Sequence, residues 1–350
     1  MLKLMETLKE INSVDREAGF RCETILNGKM KPQKSLGVLE ELAIKIAEIT
    51  GDEQKKIEKG CHLIASADNG IIAEGVSSCP LEYTKIVSEA MLNKIAAIGI
   101  LCKSLNIDLK LVDIGIADDI PREYENLIVK KINRGTNNFK YGPAMTEKEC
   151  VEAILEGVKI VEELSENYDF FSNGEMGIGN TTTSSAVLYA LTQQSLDKVV
   201  GRGGGLSDEG LQKKKNLIKE SCEKYQLFSK SPLEILTYVG GLDIACMTGF
   251  YLGAAKMKKP MLMDGFISAV AALVATKIEP KVKDYIIATH MSEEPGMQVI
   301  MEELKLLPFL NMKMRLGEGT GAVLAYPIIK GAMEIVRNMK TKDEVYELFN

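Results

Sequence analysis

The chain passes from an apolar segment at residues 168–172 directly into Asn173-Gly174-Glu175-Met176-Gly177-Ile178-Gly179-Asn180-Thr181-Thr182-Thr183-Ser184-Ser185. The apolar segment predicts a strand, and the apolar residues from Ala186 onwards predict a helix. Glycines let the backbone approach a ligand closely, and Asn180 or Thr181 can cap the helix. A strand, a glycine-rich turn and a helix in this order are typical of a phosphate-binding loop, although the same pattern also occurs in ordinary tight turns.

The same succession of apolar segment, small or acidic residues and helical periodicity recurs along the chain. The other strand-like segments are residues 62–67, 109–114, 261–263 and 285–289. Helical patterns occupy residues 36–49, 86–105, 147–164, 208–225, 235–257 and 269–276. This alternation predicts an α/β fold with a Rossmann-like, mostly parallel sheet flanked by helices. Because ligands bind beyond the carboxyl ends of parallel strands, the polar residues that follow the strands should share one site.

The two ends of the chain lack strand-like segments. Residues 1–12 read as a short amphipathic helix, and residues 321–350 read as one or two helices. We expect residues 1–30 and 325–350 to form a smaller all-helical domain beside an α/β catalytic domain of residues 31–324.

The composition excludes several classes of function. A net charge of -6 disfavours a nucleic-acid-binding protein, since backbone phosphates are bound by clustered Lys and Arg. No apolar run is long enough to span a membrane, and the N-terminus lacks a secretory signal, so we expect a cytoplasmic protein. The seven cysteines form no CxxC pair, and there are two histidines. Carboxylates are therefore the expected agents of any acid-base chemistry.

Two further glycine clusters carry candidate functional residues. Gly201-Arg202-Gly203-Gly204-Gly205 precedes a predicted helix that contains Lys213, and it is either an anion-binding loop or a flexible surface loop. In Arg315-Leu316-Gly317-Glu318-Gly319-Thr320-Gly321, the glycines leave Glu318 with little bulk around it, as in a solvated turn or around a positioned base. Asp264 follows a strand-like segment and either caps the next helix or contacts a ligand.

In their order and joint presence, these motifs resemble the nicotinate-nucleotide:dimethylbenzimidazole phosphoribosyltransferase family of cobamide assembly. The resemblance also takes in residues 34–42, 67–77, 134–136 and 142–146, and so it runs through most of the chain. It implies transfer of the 5-phosphoribosyl group from nicotinate mononucleotide to 5,6-dimethylbenzimidazole or a related lower-ligand base. The products would be nicotinate and an α-ribotide, with inversion at C1′.

The resemblance also implies roles for individual residues. Glu318 would be the general base, and Glu175 a second carboxylate that orients the reacting groups or favours positive charge developing on the ribose. Phosphate and ribose would be bound by Gly177, Gly179, Asn180, Thr181, Thr182, Gly203, Gly204, Gly205 and Lys213. The acceptor base would lie near Ser77, Met176, Asp264, Ser292, Leu316 and Gly317. The scheme requires no metal, cofactor or covalent nucleophile, and the family implies a homodimer.

Three positions depart from the usual pattern of the family. Asn69 stands where histidine is common, Cys79 stands in place of a tyrosine, and Lys34 stands where glycine is usual. Asn69 and Cys79 lie in the segment expected near the acceptor. The identity of the acceptor is therefore left open, while the reaction type stands.

Three alternatives to this phosphoribosyl transfer are also consistent with parts of the sequence. A non-catalytic protein that binds a benzimidazole or a ribotide would use the same cleft, and the same chemistry could act on a phenolic or purine acceptor. An ATP-dependent sugar or nucleoside kinase is a third reading of the glycines, but these loops lack the GxxxxGK[ST] pattern.

Overall fold

Six strands form one sheet in the computed structural model, which describes residues 1–349. They are β1 (Gly60–Ala67), β2 (Asp108–Gly115), β3 (Leu127–Val129), β4 (Phe170–Met176), β5 (Met261–Met263) and β6 (Ile286–Ala288). Their order is β3-β2-β1-β4-β5-β6, and each neighbouring pair is parallel. The predicted Rossmann-like α/β fold is confirmed.

Helices account for most of the remaining chain. They are α1 (Leu2–Lys9), α2 (Arg16–Gly28), α3 (Val38–Thr50), α4 (Tyr83–Leu92), α5 (Ala97–Leu105), α6 (Glu147–Leu164), α7 (Asn180–Thr192), α8 (Leu196–Val199), α9 (Asp208–Lys224), α10 (Pro232–Val239), α11 (Leu242–Lys256), α12 (Phe266–Ile278), α13 (Gly296–Leu304), α14 (Thr320–Asn338) and α15 (Lys342–Phe349). Short 3-10 turns lie at Gly70–Glu74, Leu227–Ser229 and Pro280–Tyr285. Within residues 1–349, no helix has the length and apolar character needed to cross a membrane.

The sheet separates two clusters of buried apolar side chains. Successive residues of a strand point to opposite faces, and in β1 Leu63 and Ala65 join one cluster whereas Ile64 joins the other. Residues of α6, α7, α11 and α12 complete the first cluster, and residues of α3, α4, α5 and α14 complete the second. The molecule is therefore layered as helices, sheet and helices.

The chain reverses its direction of winding between β1 and β4. From β1 the strands proceed outwards through β2 to β3, and from β4 they proceed in the opposite direction through β5 to β6. At such a switch point, the loops after the two central strands diverge and leave a crevice at the carboxyl ends of the strands. The loop after β4 is the glycine-rich segment that begins at Gly177.

Two of the predicted helices are each divided in two. The segment 86–105 contains α4 and α5, which are separated by a turn in which Lys94 has φ +58°. The segment 235–257 contains α10 and α11, which are separated by Gly240 and Gly241. At Gly240, a Cβ atom would lie 2.4 Å from the carbonyl oxygen of Leu236, so this sharp turn requires glycine. Apolar periodicity continues across both turns, and for that reason the sequence pattern did not show them.

The terminal segments contact each other, but their buried apolar side chains belong to the same two clusters as the rest of the chain. Lys29 and Thr341 form an antiparallel bridge, which joins the end of α2 to the start of α15. Leu4 belongs to the first apolar cluster, while Leu26 belongs to the second together with residues of α14. Helix α14 runs continuously across residue 325. The proposed division into two domains stays a prediction, and its last residue, Asn350, lies outside the described residues.

Candidate active site

A cavity of about 590 Å³ lies at the carboxyl ends of the central strands. The three loops that the sequence singled out form its walls: the turn between β4 and α7, the loop around Gly203, and the segment from Arg315 to Glu318. The ends of β5 and β6 contribute Asp264 and His290. Most of the predicted site residues therefore line one cavity, as the parallel sheet requires.

Most but not all of the predicted residues reach this cavity. Those that line it are Glu175, Glu318, Gly177, Gly179, Asn180, Thr181, Gly203, Gly204, Ser77, Met176, Asp264, Ser292, Leu316 and Gly317. Thr182 is fully buried in α7, and Gly205 lies in the adjoining turn, so neither is part of the lining. Lys213 is exposed and lines a separate cavity with Glu74 and Lys140.

Glu318 lies in a turn whose main chain is held in an unfavourable conformation. Gly317, Glu318 and Gly319 have φ values of +87°, +63° and +88°, a region that is costly for a residue with a Cβ atom. The Oε2 atom of Glu318 accepts a hydrogen bond of 3.2 Å from the backbone N–H of Ile98, in the first turn of α5. Burial raises the pKa of Glu318, and the Ile98 N–H opposes this shift. The carboxylate is thus a stronger base than a solvated glutamate.

Glu175 is part of a buried network of two carboxyl groups and one amide. The side-chain NH₂ of Asn180 donates to Glu175 Oε2 and, over 3.1 Å, to Asp243 Oδ2. Burial raises the pKa of Glu175 to about 8 and that of Asp243 to about 7. The backbone N–H of Glu318 acts in the opposite direction on Glu175, so the two candidate catalytic residues are in direct contact. Asn180 therefore holds the side chains of Glu175 and Asp243 by hydrogen bonds, in addition to lying in the predicted phosphate-binding loop.

The N-terminus of α7 forms one side of the cavity. Gly179 is its N-cap residue with φ +94°, and Thr181 lies in the first turn. Backbone N–H groups at a helix N-terminus attract anions. Gly203 approaches this turn so closely that a Cβ atom would lie 2.7 Å from Thr181 Oγ1. The two glycine-rich loops are therefore in contact, as one phosphate site formed by both would require.

The buried cation beside these loops is Lys214 rather than Lys213. Its Nζ donates to Thr181 Oγ1 and to the carbonyl oxygen of Gly201, each over 3.1 Å. Burial lowers the pKa of Lys214 to about 8, and Glu294 opposes this shift. Lys214 lies three residues from Leu211 and Leu217, so it belongs to the inward stripe of α9, whereas Lys213 faces solvent. The helical periodicity of the sequence was therefore sufficient to show that Lys214 faces the core and Lys213 faces solvent.

Apolar and small side chains also line the cavity. Tyr83 and Val87 of α4 lie there with Met176, Leu316 and Cys79. Of the two departures expected near the acceptor, Asn69 and Cys79, it is Cys79 that lines the cavity.

Asn69 is fully buried and does not line the cavity. Its Nδ2 lies 3.1 Å from the position of a Cβ atom on Gly177, and its own Cβ lies 3.3 Å from such a position on Gly179. Asn69 therefore packs against the loop between β4 and α7 on the side away from the cavity. It also lowers the pKa of Asp243 by hydrogen bonding.

Asp264 stabilises the helix that follows Glu318. Its Oδ1 accepts hydrogen bonds from the backbone N–H groups of Gly321 and Ala322, at 2.9 and 3.2 Å. It therefore binds the first turn of α14, whereas the sequence suggested either a cap for the helix directly after it or contact with a ligand. His290 Nδ1 lies 3.5 Å from the same oxygen atom. Burial raises the pKa of Asp264, and His290 opposes this shift.

The sequence analysis did not single out several other residues of the cavity lining. They are Tyr83, Val87, Phe266, His290, Glu294 and Arg315. Arg315 donates to the carbonyl oxygen of Gly203 over 3.2 Å and so joins two walls of the cavity. His290 directly follows a predicted strand, so it was among the polar residues expected to share the site, although no role was assigned to it. In residues 1–349, no cluster of three or more His, Cys, Asp or Glu side chains could hold a metal ion.

The comparison with protein families matches nearly the whole chain. A family model described as phosphoribosyltransferase (DBI_PRT) matches residues 11–345. The chain belongs to this phosphoribosyltransferase family. The resemblance stated from the sequence motifs is thereby confirmed.

Curated members of this phosphoribosyltransferase family align over almost their full length. A protein from Acetivibrio thermocellus named nicotinate-nucleotide–dimethylbenzimidazole phosphoribosyltransferase is 44% identical over 342 residues, which are 97% of each chain. A protein of the same name from Clostridium tetani is 42% identical over 345 residues, covering 98% of this chain and 95% of its own.

A solved structure has the same fold as this phosphoribosyltransferase. The crystal structure of CobT from Thermus thermophilus superposes with a TM-score of 0.90 at 34% sequence identity. The match covers 94% of this chain and 98% of the other.

Proposed function

We propose that this phosphoribosyltransferase transfers the 5-phosphoribosyl group of nicotinate mononucleotide to 5,6-dimethylbenzimidazole or a related base. The observation that carries the proposal is the single cavity in which Glu318, Glu175 and both glycine-rich loops meet. The names of the relatives from A. thermocellus and C. tetani give the same reaction for those proteins. The products are nicotinate and an α-ribotide, formed with inversion at C1′.

The reaction requires a base on the acceptor side of the cavity. One ring nitrogen of the benzimidazole attacks C1′ while Glu318 removes the proton from the other nitrogen, and nicotinate leaves from the opposite face of the ribose. The raised pKa of Glu318 supports this role, because a base is most effective when its pKa approaches the working pH. Turnover should therefore decrease as the pH falls through the pKa of Glu318.

The donor side of the cavity has groups that suit the phosphate and the ribose. The N-terminus of α7 and the ammonium group of Lys214 supply positive charge beside Gly203 and Gly204. Glu175 lies between this side and Glu318, where its carboxyl group can orient the reactants or balance the positive charge that develops on the ribose. Its buried hydrogen bond to Asn180 fixes its direction.

An acceptor panel tests this function against its alternatives. Purified protein and nicotinate mononucleotide are incubated with dimethylbenzimidazole, unsubstituted benzimidazole, a phenol or adenine, and nicotinate release is followed by chromatography. We expect the fastest release with a benzimidazole. Faster nicotinate release with the phenol or with adenine would support the same transfer reaction but would show that the acceptor is not a benzimidazole. Thermal stabilisation by the ligands without any release would identify a non-catalytic binding protein.

We also propose that the enzyme is a cytoplasmic homodimer, as the family resemblance implies. Light scattering coupled to size-exclusion chromatography should give twice the mass of the 38.5 kDa chain. A mass equal to one chain across the concentration range would contradict the dimer.

A further inference from the structure

We propose that His62 is a positioning residue, which holds the main chain of the general base Glu318 by a hydrogen bond to its carbonyl oxygen. The inference rests on the proposed function, since it assigns to His62 a part in that reaction. His62 lies in the first half of β1, outside the loops that form the cavity.

The imidazole of His62 is fully buried and joins two partners. Its Nε2 lies 2.9 Å from the carbonyl oxygen of Glu318, and its Nδ1 lies 2.8 Å from Ser172 Oγ on β4. His62 and Ser172 are paired in the register of the two strands, so the sheet itself sets the contact between them. The two central strands, β1 and β4, thereby connect to the turn that carries Glu318 through a chain of two hydrogen bonds.

The partners determine the tautomer of the imidazole. A carbonyl oxygen accepts hydrogen bonds and cannot donate them, so Nε2 must carry a proton. Burial lowers the pKa of His62 to about 4, which keeps the ring neutral near pH 7. Nδ1 is then an acceptor, and the hydroxyl group of Ser172 donates a hydrogen bond to it. The Glu318 carbonyl thus sets the tautomer, and the hydrogen bond from Ser172 holds the ring in the orientation in which its N–H faces Glu318.

The turn around Glu318 is packed closely against these two strands. A Cβ atom on Gly319 would lie 2.0 Å from Cε1 of His62, and one on Gly174 would lie 2.3 Å from the carbonyl oxygen of Glu318. Glycine at both positions lets the turn descend onto the sheet and reach the imidazole. The hydrogen bond from His62 therefore acts where the backbone of Glu318 has its unfavourable φ of +63°.

The direction of the Glu318 carboxylate depends on this backbone. Its side chain is only half-buried, and the described residues give its carboxylate one hydrogen bond, from Ile98. A rotation of the peptide after Glu318 would move the carboxylate relative to the acceptor. Misplacement of a catalytic group by about 1 Å can lower the rate by about 100-fold. The phosphate-binding loops lie on other segments, so binding of the donor should depend less on His62.

Two substitutions of His62 separate the hydrogen bond from the volume of the side chain. His62→Leu removes the donor, and we expect kcat to decrease by about 10-fold or more while KM for nicotinate mononucleotide changes by less than about threefold. In His62→Gln, the side-chain amide can reach the place of Nε2 and donate to Glu318, so kcat should stay within about threefold of the wild type. Steady-state kinetics with nicotinate mononucleotide and dimethylbenzimidazole measure both constants.

A control removes a buried hydroxyl elsewhere in the core. Thr248 in α11 is fully buried and donates to the carbonyl oxygen of Ile244, away from the cavity. Thr248→Val should keep the wild-type kcat and KM even where its melting temperature decreases. Ser172→Ala provides a second test that leaves the imidazole in place: Nδ1 loses its hydrogen bond, the ring is held less firmly against Glu318, and kcat should decrease by a smaller factor than in His62→Leu.

The outcomes distinguish failure of this inference from failure of the proposed function. If the wild type releases no nicotinate, the proposed function is wrong. If the wild type is active, the inference is overturned by an unchanged kcat in His62→Leu or by an equal loss in His62→Gln and His62→Leu. Should His62→Leu not fold, an unchanged kcat in Ser172→Ala overturns it instead.

Discussion

Glu318 combines an unfavourable backbone conformation with a half-buried carboxylate. A non-glycine residue at φ +63° costs free energy, and such residues persist where the surrounding contacts hold them. Here the flanking glycines, the Ile98 N–H and the His62 imidazole supply those contacts. The glycine neighbours marked Glu318 as a candidate and the family resemblance implied its role as base, but its supports come from α5 and β1, more than 200 positions away in the chain.

Glu318→Gln should remove the base and keep the shape of the side chain. We expect kcat to decrease by about 10²- to 10⁴-fold, the usual contribution of a positioned base. The amide oxygen can still accept the hydrogen bond from Ile98, so the free energy of unfolding should change by less than about 0.5 kcal/mol. Single-turnover kinetics and chemical denaturation measure the two quantities. A kcat near that of the wild type would remove Glu318 from this role.

Lys214→Met should weaken binding of the donor. The substitution removes the ammonium group that joins Thr181 to Gly201 beside the proposed phosphate site. If this charge contributes about 1.5–3 kcal/mol to binding of the donor phosphate, KM for nicotinate mononucleotide increases by about 10- to 100-fold. In the wild type, this KM should also increase as the pH rises through about 8, where Lys214 loses its proton.

The neighbouring lysine provides a matched control for this change. Lys213→Met alters an exposed side chain of the same kind outside the cavity, and KM should stay within about twofold of the wild type. Equal effects of the two substitutions would contradict the assignment of the phosphate site to Lys214.

At the scale of the elements, apolar runs predicted strands well because buried parallel strands are apolar on both faces. The segment 261–263 matches β5 in full, and 62–67 lies within β1. β3 escaped prediction because its three residues, Leu127–Val129, pair only at the edge of the sheet and remain partly exposed. The position of Lys214 could have been predicted from helical periodicity, whereas the buried network of Glu175, Asn180 and Asp243 depends on contacts between distant segments.

The turn before α3 contains a lysine in a conformation that favours glycine. Lys34 is exposed and has φ +58°, at a position where the family usually has glycine. The left-handed region costs a residue with a Cβ atom about 1–2 kcal/mol, and the extra freedom of glycine in the unfolded chain offsets about half of this. Lys34→Gly should therefore increase the free energy of unfolding by about 0.5–1 kcal/mol in chemical denaturation.

Replacing a lysine by glycine within a helix should have the opposite effect on the free energy of unfolding. Lys159 lies in the middle of α6, where glycine has a low helix propensity. Lys159→Gly should decrease the free energy of unfolding by about 1 kcal/mol. Destabilisation of the protein by Lys34→Gly would show that the lysine side chain has a favourable role that outweighs its backbone conformation.

At the scale of the whole molecule, the parallel sheet brings acidic side chains from distant segments into one buried region. Burial raises the pKa of Glu175 and Asp243 to about 8 and about 7. Both values exceed those of the unfolded chain, so the folded protein binds these protons more tightly. The resulting stability is fully present below about pH 4, where both states are protonated, and it is lost progressively as the pH rises to the folded pKa values.

Asp243→Asn tests this linkage with a side chain of nearly the same size. Between pH 5 and pH 8, the free energy of unfolding of the unliganded wild type should decrease by on the order of 2 kcal/mol more than that of the variant. Denaturation of both proteins at each pH gives the difference, in which the titrations of other groups cancel. Parallel curves for the two proteins would show that Asp243 does not hold a proton in the folded state.

The transfer of the phosphoribosyl group is tested most directly by its stoichiometry and its stereochemistry. The protein is incubated with nicotinate mononucleotide and dimethylbenzimidazole, both products are quantified by chromatography, and the anomeric configuration of the ribotide is determined by NMR. The proposed reaction predicts equal amounts of nicotinate and ribotide, with the α configuration at C1′. A β-configured product would contradict a single displacement in this cavity, and ligand binding without release of nicotinate would contradict catalysis itself.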